Sequence, residues 1–183
     1  MAMAATIPYY TVADLEHFPS DGNRYELLDG VLLVTPAPNA THQLLAARLL
    51  HILMREIGMP GRAFVFGPGV ISNPPRTQLE PDVLVVPARV PVSSRWSDYT
   101  DHWLAVEIYT PSSRIYDRDF KRAAYHTLGV QDVWLVDIDD RSVEISQRAG
   151  GTGVVVRDTI TWRVPTLGID VRVDLAELFA GIE

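Results

Sequence analysis

The segment that decides the fold is residues 103–125, WLAVEIYTPSSRIYDRDFKRAAY, in which an apolar run surrounds one carboxylate, Glu107. The run breaks at Thr-Pro-Ser-Ser, and a charged segment with helical spacing follows it. The pattern predicts a buried strand at 103–109 and a helix at 115–128. An unpaired carboxylate in a buried strand costs several kcal/mol, so the sequence raises the question of which positive group meets Glu107.

Length and composition indicate one globular domain. The chain has 183 residues, of which 47% are hydrophobic and 21% charged, enough to bury a substantial core. We predict a single domain over 1–183, with an N-terminal helix and hairpin at 8–35, a core at 38–139 and a β extension at 140–183. The sequence contains no cysteine, which excludes disulfides, thiolate zinc sites and cysteine nucleophiles.

Charge and hydropathy bear on partners and location. The net charge of −7 argues against broad electrostatic adhesion to nucleic acid, although it allows a local basic patch or an acidic cluster neutralised by a divalent cation. The first residues show no secretory pattern, and no apolar run approaches the roughly 20 residues that span a bilayer. We therefore expect a cytoplasmic protein with no membrane partner.

Periodicity places one long helix in the first half of the chain, at 40–57. Its apolar positions Leu45, Leu49, Ile52 and Leu53 follow helical spacing and should pack on a sheet. The remaining predicted elements are a short helix at 11–18, hairpins at 24–34 and 62–72, buried strands at 81–86 and 133–137, antiparallel strands at 142–147, 153–157 and 159–164, and a helical turn at 174–179. This order predicts an α/β fold with a mixed sheet.

Two acids fall where strands of that sheet should be neighbours. Asp82 opens one buried strand, and Glu107 lies inside the next. If the strands are adjacent, both carboxylates can point to one face of the sheet. Two carboxylates on a rigid sheet form a hard oxygen site suited to Mg²⁺ or Mn²⁺.

The helix after Glu107 carries a cation that could reach this site. Asp117, Lys121, Tyr125 and Leu128 share one helical stripe, so Lys121 faces a largely apolar direction. An ammonium there would stabilise charge developing on a phosphate. The alternative is an ordinary i,i+4 pair of Asp117 and Lys121 on a solvated helix.

Five segments in this order resemble a known family. They are RYELLDG (24–30), TPAPNATHQ (35–43), EPDVLVV (80–86), VEIYTPSSRIYDRDFKRAAY (106–125) and GVQDVWLVDID (129–139). Together they are similar to the restriction-endonuclease-like PD-(D/E)XK nucleases and, within them, to the Uma2 family of endonucleases. The resemblance implies an α-β-β-β-α-β core and Mg²⁺-dependent phosphodiester cleavage. It also implies a catalytic trio of Asp82, Glu107 and Lys121, with the two acids as metal ligands.

One residue departs from the superfamily pattern. The usual lysine lies two residues after the acid, where this chain has Tyr109. In the Uma2 pattern the lysine has moved to the next helix, which fits Lys121. Glu26 resembles the family's accessory acid, and His42 is a candidate phosphate ligand or proton shuttle; a surface acid and a solvent-facing histidine are the alternatives.

A small basic patch is predicted beside the site. Arg114, Arg118 and Arg122 lie near Lys121 and are candidates for contacts with backbone phosphates, although a solvated helix face would look the same.

The leading functional hypothesis is a metal-dependent DNA endonuclease acting as a homodimer, since cleavage of two strands calls for two sites related by a two-fold axis. The alternatives are a nuclease-fold binding or scaffold protein without turnover, and a hydrolase of a small phosphorylated substrate.

Overall fold

A computed structural model describes residues 9–89, 92–109, 120–150 and 153–182. The helices are α1 (Ala40–Leu53), α2 (Arg122–Thr127) and α3 (Leu175–Leu178), with 3₁₀ turns at Val12–His17 and Trp96–Asp98 and a π turn at Met54–Gly58. The strands are β1 (Arg24–Leu28), β2 (Val31–Thr35), β3 (Ala63–Phe66), β4 (Ile71–Asn73), β5 (Thr77–Leu79), β6 (Val83–Pro87), β7 (Leu104–Tyr109), β8 (Asp132–Asp137), β9 (Ser142–Gln147), β10 (Val154–Val156), β11 (Thr159–Arg163) and β12 (Asp170–Asp174).

A six-stranded sheet in the order β10-β9-β8-β7-β6-β3 forms the centre of the fold. Strands β7 and β8 are parallel, whereas the other neighbours in this sheet are antiparallel. Parallel neighbours need a crossover, and α2 lies in the segment that connects them. The order α1, β3, β6, β7, α2, β8 confirms the predicted core and its mixed sheet.

A four-stranded sheet in the order β2-β1-β5-β4 lies beside the central one. Its β1–β2 hairpin was predicted from Asp29-Gly30, and both residues take positive φ angles, 51° and 83°. Such angles are typical of the two-residue turns that match the twist of a hairpin. A third, two-stranded sheet of β11 and β12 is tied to the centre by Trp162, whose Nε1 donates to Asp132 Oδ2 at 3.0 Å.

The two faces of the central sheet carry separate cores. On one face, α1 packs through Leu45, Leu49 and Leu53, which are fully buried, and Ile52 is partly buried against the same cluster. This confirms the predicted packing of α1. On the opposite face, alternate residues of β6 and β7 join Tyr125 of α2 and residues of the second sheet. Asp82 and Glu107 share the alternation of that second face.

The predicted hairpin at 62–72 is wrong. Strand β3 pairs with β6 in the central sheet, whereas β4 pairs with β5 in the second sheet. The Gly-Pro-Gly segment at 67–69 is therefore a crossing between sheets. A Cβ atom at Gly67 would lie 2.4 Å from Leu50 Cδ1, and one at Gly69 would lie 2.4 Å from Leu84 Cβ. Close packing against Leu84 therefore favours glycine at position 69, whereas at Gly67 the nearest atom is the end of a flexible side chain.

Two strands were not predicted, β5 and β12. The helix expected at 115–128 is described only from Phe120, and its earlier residues lie outside the described ranges. No helix in the described ranges is both long and apolar enough to cross a membrane.

Gly69→Ala should lower the free energy of unfolding by about 1–3 kcal/mol, because the added methyl meets the rigid Cβ of Leu84. Gly150→Ala is the matched control, since the nearest atom to its new Cβ would be 3.6 Å away. Urea denaturation of both variants measures the difference. Equal stability of the two variants would contradict the packing at this crossing.

His102 should make stability depend on pH. It is buried, at 6% exposure. Burial lowers the pKa of His102 below its ordinary value of 6.5. Between these two pKa values only the unfolded chain takes up the proton. The part of the unfolding free energy that depends on His102 is therefore retained above about pH 6.5 and is lost as the pH drops toward the folded-state pKa.

His102→Gln removes this proton uptake. From about pH 7.5 to about pH 5.5 the wild type should lose more unfolding free energy than the variant does. Urea denaturation at both pH values measures the two losses, and equal losses would show that His102 does not resist protonation.

Candidate active site

The register of the central sheet brings Asp82 and Glu107 together. Val83 pairs with Val106 in the antiparallel β6–β7 ladder, so Asp82, one step further, lies opposite Glu107. Directly opposed residues project from the same face of a sheet. The amide of Ile108 also donates to Asp82 Oδ2 at 2.8 Å. This is the predicted arrangement of the two acids, and both are buried, at 5% and 3% exposure.

Lys121 answers the question raised by Glu107. It directly precedes α2, and its Nζ lies 3.2 Å from Glu107 Oε1 and 2.7 Å from Glu26 Oε2. Its side chain is 3% exposed, so Lys121 does not lie on a solvated helix face, which was the alternative. Lys121 is also the only lysine among the 16 Lys and Arg residues of the chain.

Glu26 connects the two sheets. It is fully buried on β1 of the four-stranded sheet, while Glu107 belongs to the central sheet. Glu26 Oε1 accepts the amide of Glu80 at 2.7 Å, and its Oε2 accepts from Lys121. One ammonium therefore neutralises a carboxylate from each sheet. The surface position considered for Glu26 is excluded.

Tyr125 of α2, the helix that directly follows Lys121, contacts Glu107. Its hydroxyl donates to Glu107 Oε1, the oxygen that also contacts Lys121. Burial raises the pKa of Tyr125 well above its usual value, and the negative charge of Glu107 raises it further. The phenol therefore keeps its proton and remains a donor. Tyr125 was not predicted as a site residue, although its i,i+4 spacing from Lys121 was the available signal.

Asp82 is held by a second group of donors. Arg24 Nη2 lies 2.7 Å from Asp82 Oδ1, and His42 Nε2 lies 3.0 Å from Asp82 Oδ2. Burial alone would raise the pKa of Asp82, but the hydrogen bond with His42 and the charge of Arg24 outweigh burial and lower it. His42 therefore faces Asp82 rather than solvent. Arg24 was not predicted as a site residue. The available signal was its position two residues before Glu26, which places both side chains on the same face of β1.

The arginines of the predicted basic patch are only partly described. Arg122 forms a salt bridge with Glu144 of β9, whose side chain is buried. The Arg122 guanidinium is therefore engaged at the sheet. Arg114 and Arg118 lie outside the described residues, as does Asp117. The contacts of Arg114, Arg118 and Arg122 with phosphates remain predictions.

The chemistry of the donor set fits a hard divalent cation. Glu26, Asp82 and Glu107 face two permanent cations, Arg24 and Lys121, so these five residues, which we call the charge cluster, have a formal charge of −1. Carboxylate oxygens are the ligands preferred by Mg²⁺ and Mn²⁺. In the described part of the chain, no group of three or more His, Asp or Glu side chains is arranged to hold a metal. Asp82 and Glu107 are the residues that would hold it, once a donor that now binds the Asp82 carboxylate has moved away.

The mixed α/β fold is shared with a solved structure. The crystal structure of "a putative nuclease belonging to DUF820" from Anabaena variabilis ATCC 29413 superposes with a TM-score of 0.68. The match covers 92% of this chain and 97% of that one at 17% sequence identity, which shows a shared fold. Comparison with curated proteins found no match.

A family model identifies the chain more closely. The model of the Uma2 family, described as "Putative restriction endonuclease", matches residues 12–175. The chain belongs to the Uma2 family, as its motifs indicated.

Lys121→Met should lower the free energy of unfolding by about 3–5 kcal/mol, because it leaves Glu26 and Glu107 buried without their shared cation. The double variant Lys121→Met/Glu26→Gln removes one of these charges and should recover part of the loss. Urea denaturation of both variants against wild type gives the two values. A double variant no more stable than Lys121→Met would contradict the shared salt bridge.

Proposed function

We propose that the protein is a metal-dependent endonuclease that hydrolyses phosphodiester bonds of DNA, with Asp82, Glu107 and Lys121 at its catalytic centre. The observation that carries the proposal is the buried contact of Lys121 with Glu107, beside Asp82, which directly precedes the adjacent strand β6. Membership of the Uma2 family supports the reaction class. The ion we propose is Mg²⁺ or Mn²⁺.

Asp82 and Glu107 would hold the ion, which when bound supplies positive charge to the phosphate and lowers the pKa of water. Glu107 lies on β7, and Asp82 directly precedes β6, which pairs with β7, so backbone pairing and the hydrogen bond from the Ile108 amide to Asp82 hold the two acids together. A site on paired strands keeps its geometry without further ordering when substrate arrives.

Lys121 would stabilise the negative charge that develops on the phosphate. The ammonium is already oriented by Glu26 and Glu107, so little reorganisation is needed during the reaction. Its burial strengthens its electrostatic effect relative to an exposed lysine. We assign Glu26 and Tyr125 the role of positioning Lys121 and Glu107, and His42 the role of positioning Asp82.

A second candidate function is a nuclease-fold binding or scaffold protein without turnover. The specific observation in its favour is that both oxygens of Asp82 already accept hydrogen bonds from protein groups. A hydrolase of a small phosphorylated substrate is the third candidate, which the net charge of −7 favours.

Incubation with supercoiled plasmid tests the proposal. The wild type should nick or linearise the plasmid only when Mg²⁺ or Mn²⁺ is present. Asp82→Asn should abolish cleavage, whereas the exposed control Asp170→Asn should leave it unchanged. Absence of cleavage by the wild type under all metal conditions would favour the scaffold. Hydrolysis of a chromogenic phosphodiester without plasmid cleavage would favour the small-substrate hydrolase.

The same assay isolates Lys121. Lys121→Met/Glu26→Gln compared with Glu26→Gln alone differs only at the lysine, so stability effects of Glu26 cancel. Turnover should fall about a hundredfold between these two, equivalent to roughly 3 kcal/mol of transition-state stabilisation. Calorimetry should show nearly equal metal affinity. Equal turnover would restrict Lys121 to a structural role.

The homodimer also remains a prediction. Strand β10 is an edge strand of the central sheet, and its Val154 and Val155 are exposed. Exposed apolar edge strands are sites where chains pair. We propose this edge, which belongs to the predicted β extension, as the contact between subunits.

A further inference from the structure

Three donors from three parts of the chain contact the carboxylate of Asp82. Arg24 occupies Oδ1 at 2.7 Å, while the ring of His42 and the amide of Ile108 meet Oδ2 at 3.0 and 2.8 Å. The Asp82 carboxylate is nine-tenths or more buried, at 5% exposure of the residue. Arg24 is the donor described at Oδ1, so a ligand at Oδ1 competes with its guanidinium for this oxygen.

Arg24 is the donor that can be replaced at least cost to the fold. The amide of Ile108 belongs to the backbone of β7, and His42 lies in the first turn of α1. The guanidinium of Arg24 has two separate attachments, Nη2 to Asp82 and Nη1 to the carbonyl of Glu80 at 2.7 Å. Its side chain is 18% exposed, compared with 12% for His42, so Arg24 already borders water.

The charges explain why a cation must sit at Oδ1. Burying Asp82 beside Glu107 is unfavourable unless each carboxylate has a positive partner. Lys121 serves Glu26 and Glu107, which leaves Arg24 as the permanent cation for Asp82. A divalent ion would satisfy the same requirement with greater charge density.

We propose that Arg24 is a built-in competitor of the divalent cation, bound to Asp82 in the metal-free protein and released from it when the cation binds. This rests on the proposed function in that it takes Asp82 as a metal ligand. The Arg24–Asp82 salt bridge therefore stabilises the metal-free protein and weakens its affinity for the metal. Binding of the cation frees the Nη2 donors at the site while the Nη1 contact with Glu80 persists.

Calorimetric titration with MnCl₂ tests the competition in wild type, Arg24→Met and the control Arg163→Met. Arg163 pairs with Asp170 at 3.2 Å on the surface, so the control removes an arginine–aspartate pair away from the charge cluster. Arg24→Met should bind Mn²⁺ at least about tenfold more tightly than wild type, because the ion no longer displaces a buried partner. Arg163→Met should match the wild type.

Thermal unfolding gives a readout that does not depend on catalysis. Without metal, Arg24→Met should melt below the wild type, because Asp82 is buried without its permanent cation. At saturating Mn²⁺ the difference should shrink. Equal or weaker Mn²⁺ affinity in Arg24→Met, or an undiminished difference in melting temperature, would overturn the proposal.

Labelling covers the case in which Arg24→Met does not fold. In wild type carrying ¹⁵N-arginine, Nη2 protons of Arg24 should exchange slowly with solvent before titration with diamagnetic Mg²⁺ and faster at saturation. Unchanged protection at saturating Mg²⁺ would overturn the competition. Tighter binding by Arg24→Met in a protein that never cleaves DNA would keep this inference and reject the endonuclease. Metal-dependent cleavage together with unaltered Mn²⁺ affinity in Arg24→Met would keep the endonuclease and reject this inference.

Discussion

The ammonium of Lys121 lies between Glu26 of the four-stranded sheet and Glu107 of the central sheet, and its side chain is 3% exposed. Removing three charged groups from water is unfavourable, and only their mutual proximity compensates for it. The contact therefore constrains α2, β1 and β7 at once, because a shift of any of these elements would leave a charge buried alone. This contact and the apolar cluster between the two sheets together constrain the position of the second sheet relative to the first.

The cluster also explains why the remaining partners are needed. Lys121 alone leaves Asp82 without a cation, and Arg24 supplies it from β1. The two cations thus reach the central sheet from different directions, one from the helix and one from the neighbouring sheet. A charge cluster arranged in this way favours a single packing of the two sheets, since any alternative would separate at least one pair. The arrangement that stabilises the fold is the same one that orients the candidate catalytic groups.

Much of the fold followed from local pattern in the sequence. The spacing of Leu45 and Leu49 predicted the buried face of α1, and the apolar run around Glu107 predicted β7. The Gly67-Pro68 segment misled because a turn signal does not specify which sheet each flanking strand joins. Strand β12 carries the alternation Asp-Val-Arg-Val-Asp, which is itself a strand pattern, although β12 was not predicted.

The candidate site likewise contains residues that local sequence pattern predicted and residues that it did not. The acids and the lysine could be predicted as site residues, because a charged side chain in an apolar segment needs a partner of opposite charge. Arg24 meets Asp82 across 58 positions of the chain, a contact that depends on how two sheets pack and that no local pattern encodes. Tyr125 falls between these cases, because helical spacing placed it beside Lys121 but did not show that its hydroxyl would reach Glu107.

The displaced lysine is the strongest sequence argument against catalysis, and the structure weakens it. A nuclease of the wider superfamily has its lysine two residues after the acid, where this chain has Tyr109, whose hydroxyl donates to Asp137. Lys121 comes from the following segment, yet its Nζ reaches the carboxylate of Glu107 at 3.2 Å. What a phosphate requires is an ammonium at a place in space, whichever element carries it. The position of the lysine along the chain therefore does not by itself favour the scaffold over the proposed nuclease, because the charge remains beside the acid.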